Sequence, residues 1–140
     1  LPTLTHTPVA SGREHTILVV EDDPAVRSLV KEVLLQNEYR VIEAESADEA
    51  LMLWPAHRDE VELLLTDIVM PGAANGIELA EMLLGDKPEL KVIYTSGYSG
   101  DLFTSDVQLH EGYNYLPKPY LSSKLTSILR NALEPAELVF

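Results

Sequence analysis

Cysteine is absent from this sequence, and basic residues are scarce. Without cysteine, disulfides and thiolate metal sites are excluded. The 10 Lys and Arg residues stand against 23 Asp and Glu, which gives a formal net charge of −13. A chain of this charge repels a phosphate backbone, so no direct binding of nucleic acid is expected. The acidic balance instead favours cationic partners, divalent metal ions among them.

Long apolar runs are lacking too. No run approaches the roughly 18 residues that a membrane span needs, and no signal segment opens the chain. We therefore expect a soluble cytoplasmic protein, with no membrane insertion by this segment. The 140 residues predict one domain, and a domain of this size can bury a substantial core.

Composition divides the chain into three parts. Residues 1–15 carry Pro, Thr, Ser and Gly without periodicity, which predicts a linker or disordered arm. Residues 16–134 form the predicted domain and residues 135–140 a C-terminal tail. The tail is too short for an output domain, so we expect activation to be read out by another protein or by a parent chain. Because Leu1 rather than Met opens the sequence, we expect a piece of a longer protein or a processed chain.

Short apolar runs rich in β-branched residues alternate with stretches of helical spacing. Strands are predicted at residues 16–20, 40–44, 61–67, 90–96 and 113–116. Helices are predicted at residues 24–36, 50–54, 76–84 and 121–132, with a weak one at 101–111. Asp23 can cap the first helix, and Ser46 with Glu49 has the form of a capping box before the second.

This alternation predicts the α/β class. The strands are apolar enough to be covered on both faces, which is typical of parallel sheets. Right-handed crossovers leave few topologies for such a chain. We expect a flavodoxin-like, doubly wound parallel sheet of five strands in the order 2-1-3-4-5, with five helices of which the fourth is weak.

The carboxyl ends of the predicted strands carry polar side chains. Asp22 and Asp23 follow the first strand, Asp67 ends the third, Ser96 ends the fourth and Lys118 follows the fifth. Ligands of doubly wound sheets bind at this edge, between strands 1 and 3. Carboxylates about 4 Å apart repel by roughly 4 kcal/mol at an effective dielectric of 20, so clustered acids require a cation or raised pKa values. A hard divalent ion, Mg²⁺ or Mn²⁺, is the simplest solution.

With such an ion in place, Asp67 can be the nucleophile of a phosphoryl transfer that yields an aspartyl phosphate. Lys118 supplies a positive charge, and Ser96 supplies a hydroxyl donor to a phosphoryl oxygen. Taken alone, each of these residues has a simpler explanation as a helix cap, a turn residue or a solvated lysine. Their coincidence at strand carboxyl ends, in complementary chemistry, favours a site.

Four motifs carry a family resemblance: ILVVEDDPAVR, LLLTDIVMPGAANGIEL, VIYTSGY and YLPKPY. Through them, residues 16–132 resemble the receiver domain of two-component response regulators. The resemblance implies that Asp67 is phosphorylated by the phosphohistidine of a sensor histidine kinase or a histidine phosphotransfer protein. It also implies that the phosphoryl group switches a protein-interaction surface.

The resemblance implies roles for further residues. Asp22 and Asp23 look like the metal-binding pair, with Asp67 and the backbone carbonyl of Val69 completing the protein ligands. Ser96 resembles the switch hydroxyl, Tyr115 the aromatic that moves inward with it, and Lys118 the lysine that pairs with the phosphoryl group. The bond from Lys118 to Pro119 is expected to be cis.

The turn after the acceptor sets this chain apart from compact family members. Residues 71–76 are one residue longer, which, with TSGY and LPKPY, resembles receivers attached to hybrid histidine kinases. A parent hybrid kinase chain is therefore an expected partner. Val69, two residues after Asp67, cannot hydrogen-bond an attacking water, which predicts a long-lived phosphoryl group.

Other function classes fit less well. A phosphatase of the haloacid dehalogenase type would need a second Asp two residues after Asp67, where Val69 stands. The Gly-rich loop of a nucleotide-binding Rossmann unit and the Gly-x-Ser-x-Gly of a serine hydrolase are absent. We therefore predict a signalling phosphoacceptor rather than an enzyme. The alternative that stays open is a receiver-like protein-interaction module that works without phosphorylation.

Overall fold

The computed structural model describes residues 15–97 and 108–134 of the chain. The described residues form one sheet of five parallel strands in the order β2-β1-β3-β4-β5. The strands are β1 (Thr16–Val20), β2 (Arg40–Ala44), β3 (Val61–Asp67), β4 (Lys91–Ser96) and β5 (Tyr115–Pro117). The predicted α/β class and the flavodoxin-like strand order 2-1-3-4-5 are thereby confirmed.

Four helices occur among the described residues: α1 (Pro24–Gln36), α2 (Ala47–His57), α3 (Gly76–Asp86) and α4 (Ser122–Leu133). The fifth predicted helix, at 101–111, falls mostly on residues outside the described part of the chain. Its last four residues, 108–111, are described and are not helical. None of the helices described has the length and apolar character needed to cross a membrane.

The sheet is covered on both faces, as its apolar strands require. All five residues of β1 are buried. Leu18 and Val20 pack into the core on the side of α2 and α3, whereas Ile17 and Val19 pack into the core on the side of α1 and α4. This alternation follows from the two-residue period of a strand. Each fully buried aliphatic side chain contributes roughly 1.5–3 kcal/mol to folding, so packing into the two cores stabilises the position of the strands.

Local sequence determines where the first two helices begin. The carboxylate of Asp23 accepts hydrogen bonds from the backbone N–H groups of Ala25 and Val26, at 2.9 Å and 3.3 Å, and Pro24 is the first residue of α1. Such a cap satisfies N–H groups that have no partner inside the helix. In α2 the Ser46 hydroxyl accepts from the N–H of Glu49 at 3.1 Å. The Glu49 carboxylate accepts from the N–H of residue 45 rather than from that of Ser46.

Several boundaries of β4, β5, α2, α3 and α4 differ from the predicted ones by one to three residues, and the largest differences are in β5 and α2. Strand β5 begins at Tyr115 instead of residue 113, because a turn precedes it in which Gly112 has a φ of 82°. The side chain of Asn114 closes this turn by accepting from the N–H of His110 at 2.7 Å. Helix α2 continues through the exposed Pro55 to His57 instead of ending at residue 54.

Candidate functional site

Three carboxylates meet at the carboxyl ends of β1 and β3. Asp67 is the last residue of β3, and Glu21 and Asp22 directly follow β1. One oxygen of each lies within 4.8 Å of the others. Asp67 and Glu21 are 5% and 4% exposed, whereas Asp22 is exposed to solvent. We call these three residues the acid cluster.

Lys118 reaches the acid cluster from beyond β5. Its ammonium Nζ lies 2.8 Å from Oε1 of Glu21 and 3.0 Å from Oδ2 of Asp67. Buried carboxylates are strongly destabilising unless they are paired, so this ammonium explains how the two can lie side by side. One ammonium against three carboxylates leaves the cluster with excess negative charge.

The electrostatics of the cluster follow from this imbalance. Burial and the neighbouring Glu21 carboxylate raise the pKa of Asp67 to about 7, although Lys118 opposes the shift. Burial disfavours the Lys118 ammonium, but its hydrogen bonds to Glu21 and Asp67 prevail and raise its pKa. The chemistry of the donors fits a hard divalent cation, since carboxylate oxygens are the ligands that Mg²⁺ and Mn²⁺ prefer.

Asp23, predicted to be a metal ligand, lies elsewhere. Its exposed carboxylate is engaged by the first turn of α1, and only its backbone N–H contacts the cluster, donating to Oε2 of Glu21 at 3.1 Å. The structure thus brings Glu21 into the place where the sequence had suggested Asp23. The pattern Asp23-Pro24 could have indicated this, because a residue that caps the helix has its carboxylate already occupied.

The ends of β4 and β5 lie beside the cluster. Ser96, the last residue of β4, is buried. Its backbone carbonyl accepts from the N–H of Lys118 at 2.9 Å and from the hydroxyl of the buried Tyr115 at 3.4 Å. The structure therefore brings Ser96, Tyr115 and Lys118 together through the Ser96 backbone, and the switch and phosphoryl-pairing roles of their side chains stay predictions. The peptide bond between Lys118 and Pro119 is cis.

The loop after Asp67 is held in place by backbone contacts. The N–H of Ile68 donates to the carbonyl of Thr95 at 2.8 Å, and the N–H of Gly76 donates to the carbonyl of Ile68 at 2.9 Å. Gly76 opens α3 so close to β3 that a Cβ there would overlap the carbonyl oxygen of Asp67. Val69, in the same loop, is about half exposed.

Tyr120 is a further neighbour of the cluster to which no role is assigned from the sequence. Its side chain lines a small cavity together with Glu21 and Asp67. Burial and the negative charge of Glu21 raise the pKa of Tyr120 to about 12, so the phenol is neutral at physiological pH. A single tyrosine after a Lys-Pro pair offers no pattern that would predict this position.

Comparisons with known proteins agree with this geometry. A model of the family described as "Response regulator receiver domain" matches residues 17–130. The sensor kinase CckA of Brucella abortus is 34% identical over 119 residues, which cover 85% of this chain and 12% of that protein. The nitrogen assimilation regulatory protein NtrX of Azorhizobium caulinodans is 32% identical over 126 residues, covering 89% of this chain and 27% of that protein.

Solved structures show the same likeness. The crystal structure of the receiver domain from the hybrid histidine kinase CckA superposes with a TM-score of 0.71 at 31% identity, covering 85% of this chain and 99% of that one. A CheY-like receiver domain protein from Methanospirillum hungatei superposes with a TM-score of 0.69 at 28% identity, covering 86% of this chain and 94% of that one. The curated relatives are longer proteins, of which the chain spans 12% and 27% in the two cases above.

Proposed function

Since the chain belongs to the response regulator receiver domain family of two-component signalling, we propose that it is a phosphoacceptor and that Asp67 receives the phosphoryl group. The observation that carries this proposal is the placement of Asp67. A buried carboxylate stands at the end of a mostly buried strand, 3.0 Å from an ammonium group and next to further carboxylates. Preorganised groups of this kind favour phosphoryl transfer, which depends on positioning and electrostatic stabilisation.

The donor in this proposal is a phosphohistidine. A carboxylate oxygen of Asp67 forms a bond to phosphorus while the bond from phosphorus to the imidazole nitrogen breaks, and the nitrogen keeps the electron pair. Lys118, already hydrogen-bonded to Asp67, places its positive charge beside the incoming phosphoryl oxygens. Asp67 must be ionised to attack, and with a pKa of about 7 it loses its proton readily near neutral pH.

Glu21, Asp22 and Asp67 are the proposed carboxylate ligands of Mg²⁺ or Mn²⁺, with Glu21 in place of the predicted Asp23. When bound, the ion supplies positive charge against the phosphoryl oxygens. Ligation by the backbone carbonyl of Val69 stays a prediction from the family resemblance.

Ser96 and Tyr115 are proposed to report phosphorylation. Both are buried, and the Tyr115 hydroxyl contacts the Ser96 carbonyl, so a movement of one changes the surroundings of the other. A phosphoryl group on Asp67 would shift the population of a two-state surface, within the limit set by its differential interaction with the two states. The domain itself is a stoichiometric acceptor in this scheme and not an enzyme.

The proposed partner is a sensor histidine kinase or a histidine phosphotransfer protein in the cytoplasm. The similarity to the sensor kinase CckA supports a parent hybrid kinase chain as a further possibility. The acidic net charge of −13 supports the absence of direct nucleic-acid contacts in this scheme.

Intact mass after incubation with acetyl phosphate and Mg²⁺ tests the proposal. We expect one phosphoryl adduct on the native chain, none on Asp67→Asn and none in the presence of EDTA. Asp59→Asn is the matched control, because the Asp59 side chain is 96% exposed and should not affect labelling. An adduct that survives Asp67→Asn would exclude Asp67 as the acceptor. If no adduct forms while another receiver is labelled, the interaction module that works without phosphorylation becomes the better explanation.

A further inference from the structure

Tyr120 lines two neighbouring spaces in the fold. The first is an apolar groove of about 200 Å³ between α1 and α4, whose walls include Val26, Leu29 and Leu125. The second, which we call the inner cavity, has about 10 Å³, and its walls include Glu21 and Asp67 of the acid cluster. Tyr120 and Val30 line both, and Tyr120 carries the larger of the two side chains.

The inner cavity has little room for water. Its volume of about 10 Å³ is at the lower limit for a single water molecule. Much of its wall is apolar, including Val19, Val20 and Leu65. Removal of the Tyr120 ring would enlarge this cavity and give Glu21 and Asp67 both space and water beside them.

Glu21 depends most on such support, because its side chain is longer and more flexible than that of Asp67. Its two oxygens are already held, Oε1 by the Lys118 ammonium at 2.8 Å and Oε2 by the N–H of Asp23 at 3.1 Å. Both contacts act on the carboxylate at the end of the side chain. Tyr120 lines the same cavity as Glu21 and adds packing to these polar contacts.

We propose that Tyr120 is a positioning residue for the acid cluster, whose ring fills the space behind Glu21 and Asp67 and so holds both carboxylates toward the side on which a cation and the phosphoryl group bind. The inference rests on the proposed phosphoacceptor function and names a residue on which that site depends. The proposed role belongs to the ring rather than to the hydroxyl, because the ring supplies most of the volume of this side chain beside the two carboxylates. Ligand groups held by packing bind and react better than groups that must be ordered first.

Two substitutions separate the ring from the hydroxyl. Tyr120→Phe keeps the ring, and we expect Mg²⁺ affinity and the rate of labelling by acetyl phosphate to stay within about two-fold of the native values. Tyr120→Ala removes the ring, and we expect about ten-fold weaker Mg²⁺ binding in calorimetry and a similarly slower labelling at limiting Mg²⁺. Saturating Mg²⁺ should recover part of that rate, because part of the defect lies in cation binding.

Leu29→Ala is the matched control, because Leu29 lines the groove but not the inner cavity and is 61% exposed. It should leave both Mg²⁺ affinity and labelling unchanged, whereas a general loss of packing at this face would lower stability in both alanine variants alike. Should Tyr120→Ala fail to fold, Tyr120→Leu, which keeps apolar volume without the flat ring, is expected to weaken Mg²⁺ binding about five-fold.

Native Mg²⁺ affinity in a folded Tyr120→Ala or Tyr120→Leu protein would overturn the inference. So would a loss in Tyr120→Phe as large as that in Tyr120→Ala, because the hydroxyl would then be the active group. Failure of the native chain to accept a phosphoryl group is a different result, which counts against the proposed function. The calorimetric comparison does not depend on labelling, so the two failures are distinguishable.

Discussion

Asp67 and Glu21 are two buried carboxylates that share the ammonium of Lys118. The pKa of Asp67 is raised to about 7, above the value of about 3.9 expected in an unfolded chain. The folded state therefore favours the protonated carboxyl. The contribution of Asp67 to stability is greatest below its unfolded pKa and is lost as the pH rises through about 7.

This sign predicts that Asp67→Asn stabilises the metal-free protein at neutral pH. Asparagine removes the buried charge while Lys118 keeps its contact with Glu21. We expect a gain in the free energy of unfolding on the order of 2 kcal/mol at pH 8, falling toward zero near pH 4. Urea unfolding in EDTA across this range measures it, with Asp59→Asn, a substitution of an exposed aspartate, as the control. A variant that is less stable than the native chain at pH 8 would contradict the assignment.

Glu21 and Asp23 have different proposed tasks, cation binding for Glu21 and capping of α1 for Asp23. Single substitutions should distinguish them. Glu21→Gln should weaken Mg²⁺ binding by about ten-fold or more in calorimetry, because it removes one ligand of the acid cluster. Asp23→Ala should leave Mg²⁺ affinity nearly unchanged but lower stability by about 1 kcal/mol, because it removes the cap of α1. If Asp23→Ala weakened Mg²⁺ binding and Glu21→Gln did not, Asp23 would be the ligand instead of Glu21.

Three of the candidate site residues could be predicted from the sequence, because they follow strands whose ends are clear. Asp67, Ser96 and Lys118 follow apolar runs whose ends are clear in the sequence, and the structure places all three around one point. Glu21 was missed because the residues directly after β1 offer three consecutive acids, and only the direction of each side chain selects among them. The Asp23 carboxylate is engaged in capping α1, whereas the Glu21 side chain is buried against the cluster.

At the scale of elements, Gly76 determines how closely α3 approaches the end of β3. A Cβ there would overlap the carbonyl oxygen of Asp67. We expect Gly76→Ala to cost about 1–3 kcal/mol of stability and to slow labelling of Asp67 by acetyl phosphate, because the acceptor must shift. Thermal unfolding and intact mass measure the two effects.

Gly85 in the same helix provides the comparison. Nothing lies within 4 Å of a Cβ at this position, and alanine in a helix is favoured over glycine by about 0.5–1 kcal/mol. Gly85→Ala should therefore raise the melting temperature and leave labelling unchanged. If Gly76→Ala and Gly85→Ala had the same melting temperature and the same labelling rate, the close approach at Gly76 would have no effect on stability or on the acceptor.

The bounds of β1, β2 and β3 agree with the predicted ones, because their apolar residues leave little choice. The start of β5 was less predictable, since Tyr113 has the composition of a strand residue but lies in the turn that Gly112 and Asn114 form. The extent of α2 depends on whether neighbours tolerate Pro55 inside a helix, which no local pattern reveals.

At the scale of the whole molecule, His15 links three distant parts of the chain. Its Nδ1 lies 2.7 Å from Oε1 of Glu62 in β3, and its Nε2 lies 3.1 Å from Oε2 of Glu134, directly after α4. Burial lowers the pKa of His15, but the two carboxylates prevail and raise it overall. The stabilisation is fully present below the unfolded pKa of about 6.5 and is lost as the pH rises through the higher folded value.

His15→Gln should therefore reduce stability at pH 6 and have little effect at pH 9. Because Glu62 and Glu134 are 41% and 42% exposed, screening by solvent limits the expected difference to about 0.5–1 kcal/mol. Urea unfolding at the two pH values measures it. His110→Gln, a substitution of an exposed histidine elsewhere in the chain, is the control. If the loss of stability caused by His15→Gln grew with pH, it would contradict the raised pKa of His15.

The same contact brings residues 15 and 134 together at the amino ends of the strands, on the opposite edge of the sheet from Asp67. In a longer polypeptide, the segments before residue 15 and after residue 134 would join the domain at adjacent points on this edge. Domains attached there could be exchanged without altering the acid cluster. A circular permutant that joins the two ends and opens the chain elsewhere should still accept a phosphoryl group.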